Sequence, residues 1–491
     1  MKRICAFVLT CLMLIPLAAC GNTDGTPETT DTGTKTTETT AAPETDAPDV
    51  LFPGVDWDGR IFSVLAKENT IYNFGNKEIY AEDYTGDPLN DAVFDRNLKI
   101  EETYGVTIAY TERPEPDDTL RQAVRSMDSS FDLSFNWQST IGKLAGEGLM
   151  YNLLDLAYVD YSQPYWNENA NDALSLGGLL FFTTSDYEIH DKLRSYIIIC
   201  NGDMAVNYGL GDLQDVADAG KWTIDFMLSC CEAVAQDVNN DGKMKADDIF
   251  GLIGGDLKDV GMFTLSMGNK IVDKDADGKL YISMYTDRML DSIDKILDLF
   301  DKSTSAWPGD LERYSGSENL WDYAANIFYG GSALFTSQNM VVLESCSELC
   351  DFDYKVLPMP KFDEAQEKYM TQPDNIALLF GVPLTVEDPD FCGFMLEVLS
   401  EASTETTLRT YYEMGCKHRH VNDERSAKML DTIMDGLTYD IGFVYNLGEL
   451  RKIICDTIPS RRDNVLPVQF AKYEEWALED IENLMKQYNM G

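Results

Sequence analysis

Arg60-Ile61-Phe62-Ser63-Val64-Leu65-Ala66, then Asp87-Pro88-Leu89-Asn90, then Val106-Thr107-Ile108-Ala109-Tyr110: these three stretches set the class of fold. The first and last are runs of strand length, rich in β-branched and apolar residues. Between them Asp87 offers a capping carboxylate, and Pro88 suits the first turn of a helix. That helix carries Val93, Leu98 and Ile100 to Tyr104, where Gly105 can end it. The pattern then repeats. Asp117 or Asp118 is expected to cap a helix with Leu120, Val124 and Met127 on one face, and Phe131-Asp132-Leu133-Ser134-Phe135 reads as a third strand. Strands and helices alternating at this spacing predict an α/β fold, a parallel sheet with helices on both faces.

Further along, Leu179-Leu180-Phe181-Phe182-Thr183-Thr184 and Tyr196-Ile197-Ile198-Ile199-Cys200 read as strands. Thr223 caps a helix running to Ala235, with Trp222 as a staple on its first turn. Asp287 to Phe300 is amphipathic through Met289, Leu290, Ile293, Ile296, Leu297 and Phe300. Ala333-Leu334-Phe335, Tyr354-Lys355-Val356-Leu357 and Ile376 to Phe380 are later strands, the second ended by Pro358 and Pro360. A final helix shows Phe470, Tyr473, Ala477, Ile481, Leu484 and Tyr488 on one face.

Upstream of this body, Lys2 and Arg3 precede an apolar run, Ile4 to Leu17, too short to span a bilayer. The run ends in Leu17-Ala18-Ala19-Cys20-Gly21, which resembles a bacterial lipoprotein signal with its lipobox. The resemblance implies loss of residues 1–19, a lipid on Cys20, and an address on the outer face of the cell membrane. Residues 20–54 are rich in Thr, Pro, Gly and acids. Such a segment buries too little to offset its ordering entropy and reads as a disordered tether.

The 491 residues carry 39 Lys and Arg against 84 Asp and Glu, a formal charge of −45. That surface repels phosphate backbones and anionic headgroups, so nucleic acid is excluded as a partner and any membrane contact falls to the lipid anchor. After the leader, no apolar run reaches the length of a membrane span. Eight cysteines lie beyond the export segment, namely Cys200, Cys230, Cys231, Cys346, Cys350, Cys392, Cys416 and Cys455. They lack metal-knuckle spacing, and several sit in apolar helical patterns that favour buried free thiols.

Four blocks in order resemble the sugar-type (family 1) extracellular solute-binding proteins of ABC transporters. They are Gly86-Asp87-Pro88-Leu89-Asn90-Asp91-Ala92-Val93; Phe131-Asp132-Leu133 with Leu144-Ala145-Gly146-Glu147-Gly148-Leu149; Gly220-Lys221-Trp222-Thr223; and Val356-Leu357-Pro358-Met359-Pro360 with Gly381-Val382-Pro383. The resemblance implies a two-lobed, periplasmic-binding-protein-like type II fold with hinge crossings. Residues 55–183 with 336–385 would form lobe 1, residues 184–335 lobe 2, and residues 386–491 helices packed across both. The first crossing is expected at Thr184 to Glu188 and the return at Thr336 to Asn339. Such a monomeric receptor would hold a carbohydrate between its lobes and deliver it to permease subunits.

Sugar sites combine aromatic faces with carboxylates and amides that fork onto hydroxyl pairs. The candidates are Asn136, Trp137 and Gln138 after the third strand; Asp186, Tyr187 and Glu188 at the first crossing; Gln338 and Asn339 at the return; Asp374 and Asn375 before a later strand; and Trp166, Trp307 and Trp321 as platforms.

The sharpest local motif is Asp237-Val238-Asn239-Asn240-Asp241-Gly242-Lys243-Met244-Lys245-Ala246-Asp247-Asp248. It has calcium-loop spacing: Asp237, Asn239 and Asp241 at positions one, three and five, Gly242 at six, the Lys243 carbonyl at seven and Asp248 at twelve. Its expected cofactor is a structural calcium ion. Asp273 to Lys279 begins alike but reaches Met284 at the twelfth position, so it reads as a turn between strands. His418 and His420 are flanked by Lys417 and Arg419, which argues for an exposed loop rather than a metal pair. No nucleophile elbow, zinc-protease or phosphate-loop motif is present, and no enzyme is predicted. A receptor of the same fold for a peptide or other solute stays open, as does a surface glycoside hydrolase or lyase, which needs only two carboxylates.

Overall fold

The computed structural model describes residues 50–68, 78–242, 244–254, 258–302, 320–411 and 424–490. Cys20, Lys243, Trp307, Cys416, His418 and His420 lie outside them, as do the leader and nearly all of the tether. The chain divides into two units, residues 1–51 and 52–491, and the second carries all of the described strands and helices.

Ten strands are described: β1 (Arg60–Lys67), β2 (Val106–Arg113), β3 (Leu133–Trp137), β4 (Tyr196–Asn201), β5 (Phe250–Gly254), β6 (Val272–Lys274), β7 (Leu280–Ile282), β8 (Ala333–Asn339), β9 (Tyr354–Leu357) and β10 (Leu378–Gly381). They form two four-stranded sheets, ordered β10-β3-β1-β2 and β5-β8-β4-β9, and the hairpin β6-β7. In the first sheet β1 runs parallel to β2 and β3, while β10 is antiparallel to β3. In the second, β5 is parallel to β8, and β4 runs against both β8 and β9.

The strand–helix–strand opening forms as its sequence dictates. Asp87 accepts from the Leu89 and Asn90 amides at 3.0 Å each, capping the helix Pro88–Tyr104 for about 1 kcal/mol. Gly105 ends that helix in the left-handed region at φ 60°, and a Cβ there would collide with the Asp56 carboxylate. Phe62, Val64 and Leu65 of β1 are buried, each contributing about 1.5–3 kcal/mol. Thr223 caps the helix Ile224–Val234, and Trp222 packs edge-on against Phe226 with its indole N–H on the Pro358 carbonyl at 2.8 Å. Asp275 to Gly278 makes the turn between β6 and β7, as expected. The seven described cysteines are free thiols.

Four expectations are corrected. Neither Asp117 nor Asp118 caps the helix Pro116–Arg125; Pro116 opens it, and both acids stand in its first turn beside Arg121. The third strand starts at Leu133, two residues late, because Asp132 turns its carboxylate onto the Ser63 amide at 2.8 Å. Leu179 to Thr184 is not a continuous strand; only single bridges form there, Leu179 with Leu176 and Thr183 with Phe380. The return crossing does not fall at Thr336 to Asn339. β8 stays in the second sheet to its last residue, paired through Asn339 with Tyr196, and β9 follows in that sheet. Polar side chains there suggested exposed chain, yet the backbone is held by neighbours on both sides.

Two segments join the sheets. The first runs from Thr183, which exchanges hydrogen bonds with Phe380 at 2.9 Å, to Tyr196 at the start of β4. It contains the expected Thr184 to Glu188. The second leaves β9 after Leu357 and reaches β10 at Leu378. They lie antiparallel where Ser195 bridges Pro373 and the Asp374 amide donates to the Arg194 carbonyl at 2.9 Å. A C-terminal strap joins them: Thr371 bridges Leu437, and the Asp440 amide donates to Gln372 Oε1 at 2.8 Å. The helices after β10 touch both halves. Pro389–Ser403 lies on the first helix, Glu424–Asp435 on β9, and Ile441–Tyr445 on both Gln138–Gly146 and β6.

Candidate functional site

Ligands of open α/β sheets gather beyond the carboxyl ends of the strands, where strand geometry aims loops and helix starts. Here those ends converge on the paired crossings. Just after β3, Gln138 donates to the carbonyls of Asp374 at 3.1 Å and Pro373 at 3.4 Å, and accepts from Gln372 at 3.3 Å. Just after β8, the Met340 amide donates to the Ser195 carbonyl at 3.0 Å. Both sheets are thus tied at their carboxyl edges to one strip of chain, Arg194-Ser195 beside Pro373-Asp374.

Some of the buried polar atoms without a hydrogen-bond partner lie along this edge, and others lie elsewhere, as at Tyr187 and Glu188 in the first crossing. Asn136 Oδ1, Ser337 Oγ, both side-chain atoms of Gln338 and Asn339 Oδ1 are buried without a hydrogen-bond partner, and so is Asn446 Oδ1. Each such atom costs about 1–3 kcal/mol if nothing else satisfies it, so they are kept where water or a polar guest completes them. Asp374 keeps one oxygen outside any hydrogen bond, with the Lys258 ammonium at 3.9 Å.

Nearby is a cavity of about 220 Å³, bounded by Lys258, Asn375, Phe443, Asn446 and Arg451 among others. The Arg451 guanidinium stacks 4.9 Å from the Phe443 ring centroid and donates to the Phe443 carbonyl at 3.1 Å. Burial, the largest influence, pulls its pKa below the ordinary arginine range. Trp137 stands half-buried at the end of β3 with the Lys67 ammonium over its ring at 4.4 Å.

The expected contacts therefore divide. Asn136, Trp137, Gln138, Gln338, Asn339, Asp374 and Asn375 belong to the carboxyl edge. Trp166 and Asp186 line a separate groove of about 820 Å³ between residues 161–169, the first crossing, residues 367–369 and residues 432–437. Trp166 is buried with its indole N–H on Glu397 at 3.0 Å, which makes it a wall rather than an open platform. Tyr187 and Glu188 are fully buried inside the crossing. Trp321 packs against the core of the second sheet and lines neither opening. Lys258, Asn446 and Arg451 were not anticipated. They come from segments far apart in the chain, and nothing local in their sequence marks them.

In the loop 237–248 the side chains serve the loop itself. Asp237 accepts from the Gly242 amide at 2.8 Å, Asn239 from the Asp241 amide at 2.9 Å, and Asp248 from the amides of Val238 and Lys245 at 2.9 and 2.8 Å. Asp241 pairs with Lys245 at 2.5 Å. Gly242 takes φ 77°, the sharp turn that the sixth position needs, and Met244 packs on the second-sheet core. Among the described residues no group of three or more His, Cys, Asp or Glu side chains is arranged to hold a metal. The Lys243 carbonyl lies outside them, so the turn fits a calcium loop while its oxygens are spread over internal hydrogen bonds.

No protein-family model matches the chain, and no curated protein does. Solved structures do. A cyclo/maltodextrin-binding protein complexed with maltotetraose matches over 88% of this chain and 98% of that chain, at 13% identity and TM-score 0.54. UspC of M. tuberculosis matches over 86% of this chain and 100% of that chain, at 12% identity and TM-score 0.54. Likeness at these identities speaks to architecture, and with the two sheets and their paired crossings it gives the body the two-lobed α/β fold of the periplasmic-type solute-binding proteins.

Proposed function

We propose that this chain is a solute receptor that captures a carbohydrate at the carboxyl edge of its two sheets and hands it to the permease of an ABC importer. The observation that supports this best is the set of buried groups with unfilled hydrogen-bonding capacity, the amides of Asn136, Gln338, Asn339 and Asn446 and the Ser337 hydroxyl, with paired crossings that can act as a hinge. Amides and carboxylates of this kind suit vicinal hydroxyls. Of the two structural neighbours described, one is named for binding maltodextrins and was solved with maltotetraose. The likeness is to binding proteins, and the reading involves no chemistry on the ligand.

The leader motif supports anchoring through a lipid on Cys20, so that the receptor works as a monomer on the outer membrane face, leashed by residues 20–54. We also propose that the loop 237–248 takes a structural calcium ion through Asp237, Asn239, Asp241, the Lys243 carbonyl and Asp248.

The test is a thermal-shift titration of the purified protein against oligosaccharides and, separately, peptides. A saturating rise in Tm with an oligosaccharide is expected. A rise with peptides alone would replace the carbohydrate reading with the peptide one.

A further inference from the structure

The first crossing holds more buried acid than its neighbours can neutralise. Asp186, Glu188 and Asp191 lie within six residues of one another, and Arg96 links Glu78 to them, donating to the carbonyl of the adjoining Ile79 at 3.0 Å with its guanidinium 5.0 Å from the Tyr187 ring centroid. Glu78, Glu188 and Asp191 are buried, and Asp186 is nearly so. The cations facing them among the described residues are Lys192 on the same segment and Arg96 from the first helix. Lys192 stands 3.4 Å from Asp191 and 3.6 Å from Asp186, so it serves those two acids. Arg96 spends its donors on neutral acceptors: Asn97 Oδ1, the Ile79 carbonyl, Ser403 Oγ and Thr407 Oγ1, at 2.8–3.1 Å. Asp191 further accepts from Tyr439 of the C-terminal strap at 2.9 Å. The other titratable groups nearby are His190 and Arg194 on the crossing and Glu112 on β2.

Two carboxyl groups, Glu188 and Glu78, have no ion pair among the described residues and feel Lys192 and Arg96 only at longer range. Glu188 accepts from Thr184 at 3.1 Å with one oxygen, while its other oxygen is buried without a hydrogen bond. Glu78 Oε1 is likewise buried without one. A bare carboxylate in such a place is far costlier than a neutral acid. No three of these groups are arranged as metal ligands.

We propose that Glu188 and Glu78 form a proton-holding site inside the first crossing, so that the segment linking the two sheets is firm while these acids are neutral and loosens as they ionise. Burial is the main influence on both acids: it lifts Glu188 well above the carboxylate range and Glu78 to about 7. Acids whose folded-state pKa is raised favour the fold fully below about pH 4.5 and withdraw that support as pH rises through the folded values.

The protein itself is measured from about pH 5 to about pH 9, with Glu188→Gln and Glu78→Gln, which imitate the neutral acid. The difference in Tm between variant and wild type should be small at the acid end and grow in the variant's favour toward the alkaline end. Infrared difference spectra of the wild type should show a protonated-carboxyl band that fades over the same range and shrinks in each variant. Lower amide protection in residues 184–195 at alkaline pH, after correction for the intrinsic rise of exchange with pH, and its recovery in Glu188→Gln, locates the loosening. A Tm difference constant with pH would overturn the proposal. If a variant fails to fold, absence of the fading band from the wild-type spectrum still counts against the proposal, and its presence is assigned with the other variant, since buried Asp440 is also lifted to about 7. No ligand is needed, so failure here leaves the receptor reading untouched.

Discussion

The two segments that join the sheets spend their polar groups in opposite ways. Along the first, residues 184–195, the buried groups are charged and many are paired inside the protein, while Tyr187 Oη and Glu188 Oε1 are buried without a hydrogen bond. Thr184, Lys192 and Tyr439 all serve Asp191, and Thr404 serves Asp186 at 2.7 Å. Along the second, residues 371–377, and on the strand ends beside it, amides dominate and several keep their capacity open. A filled network fixes structure, because breaking it strands its partners. An unfilled one costs stability and is tolerated where a guest completes it. The first crossing is thus rich in buried charge, and the second edge is where we propose that the guest is received.

The largest expected effect is on the first crossing. Arg96→Met would remove at once the hydrogen bonds given to Asn97, Ser403, Thr407 and the Ile79 carbonyl, although Asn97 Nδ2 still serves Ile79 and Ser403 still donates to Leu399. It should lower unfolding stability by about 3 kcal/mol in urea titrations, with ligand affinity little changed in whatever remains folded. Gln338→Ala should do the reverse. Its side chain makes no internal hydrogen bond, so stability should hold within about 1 kcal/mol while Kd for the sugar rises about tenfold or more. If both substitutions act alike, the contrast between the crossings fails.

Trp166→Phe sharpens the contrast on a smaller scale. It removes the 3.0 Å bond to Glu397 and should cost about 1–2 kcal/mol of stability with no change in affinity. Weaker sugar binding in that variant would move the site into the larger groove. The smallest effect is expected at the loop 237–248, which its own hydrogen bonds already close. Chelation should lower Tm by a modest amount, and Asp241→Ala should abolish that response. An unchanged melting curve with chelator removes calcium from the account.

Much of the first half was legible because each element carries its own local signal. Asp87 and Pro88 start a helix, Gly105 stops it, and the runs flanking them have strand periodicity. The loop Asp275 to Gly278 was legible as a turn for the same reason. The return crossing was not. Thr336-Ser337-Gln338-Asn339 looks like chain leaving a sheet, since polar residues rarely fill an interior strand. They fill this one where β8, lying between β5 and β4, reaches the carboxyl edge beside Ser195.

The site divides along the same line. Gln138, Gln338, Asn339 and Asn375 could be found from their place beside strands. Lys258, Asn446 and Arg451 could not, because only tertiary packing brings residues from the 250s and 440s to one cavity. Asp186, Tyr187 and Glu188 have the composition of a sugar site but lie inside the first crossing, or beside the larger groove. Composition alone does not distinguish a polar group at a strand end from one enclosed inside the fold.

The most direct measurement is a calorimetric titration of the purified protein with an oligosaccharide, followed by chromatography of the sugar recovered from the cell. The account predicts saturable binding at one site per chain, weakened by Gln338→Ala, with the sugar recovered intact. Shortened glycans, or no binding across a varied oligosaccharide panel, would contradict it.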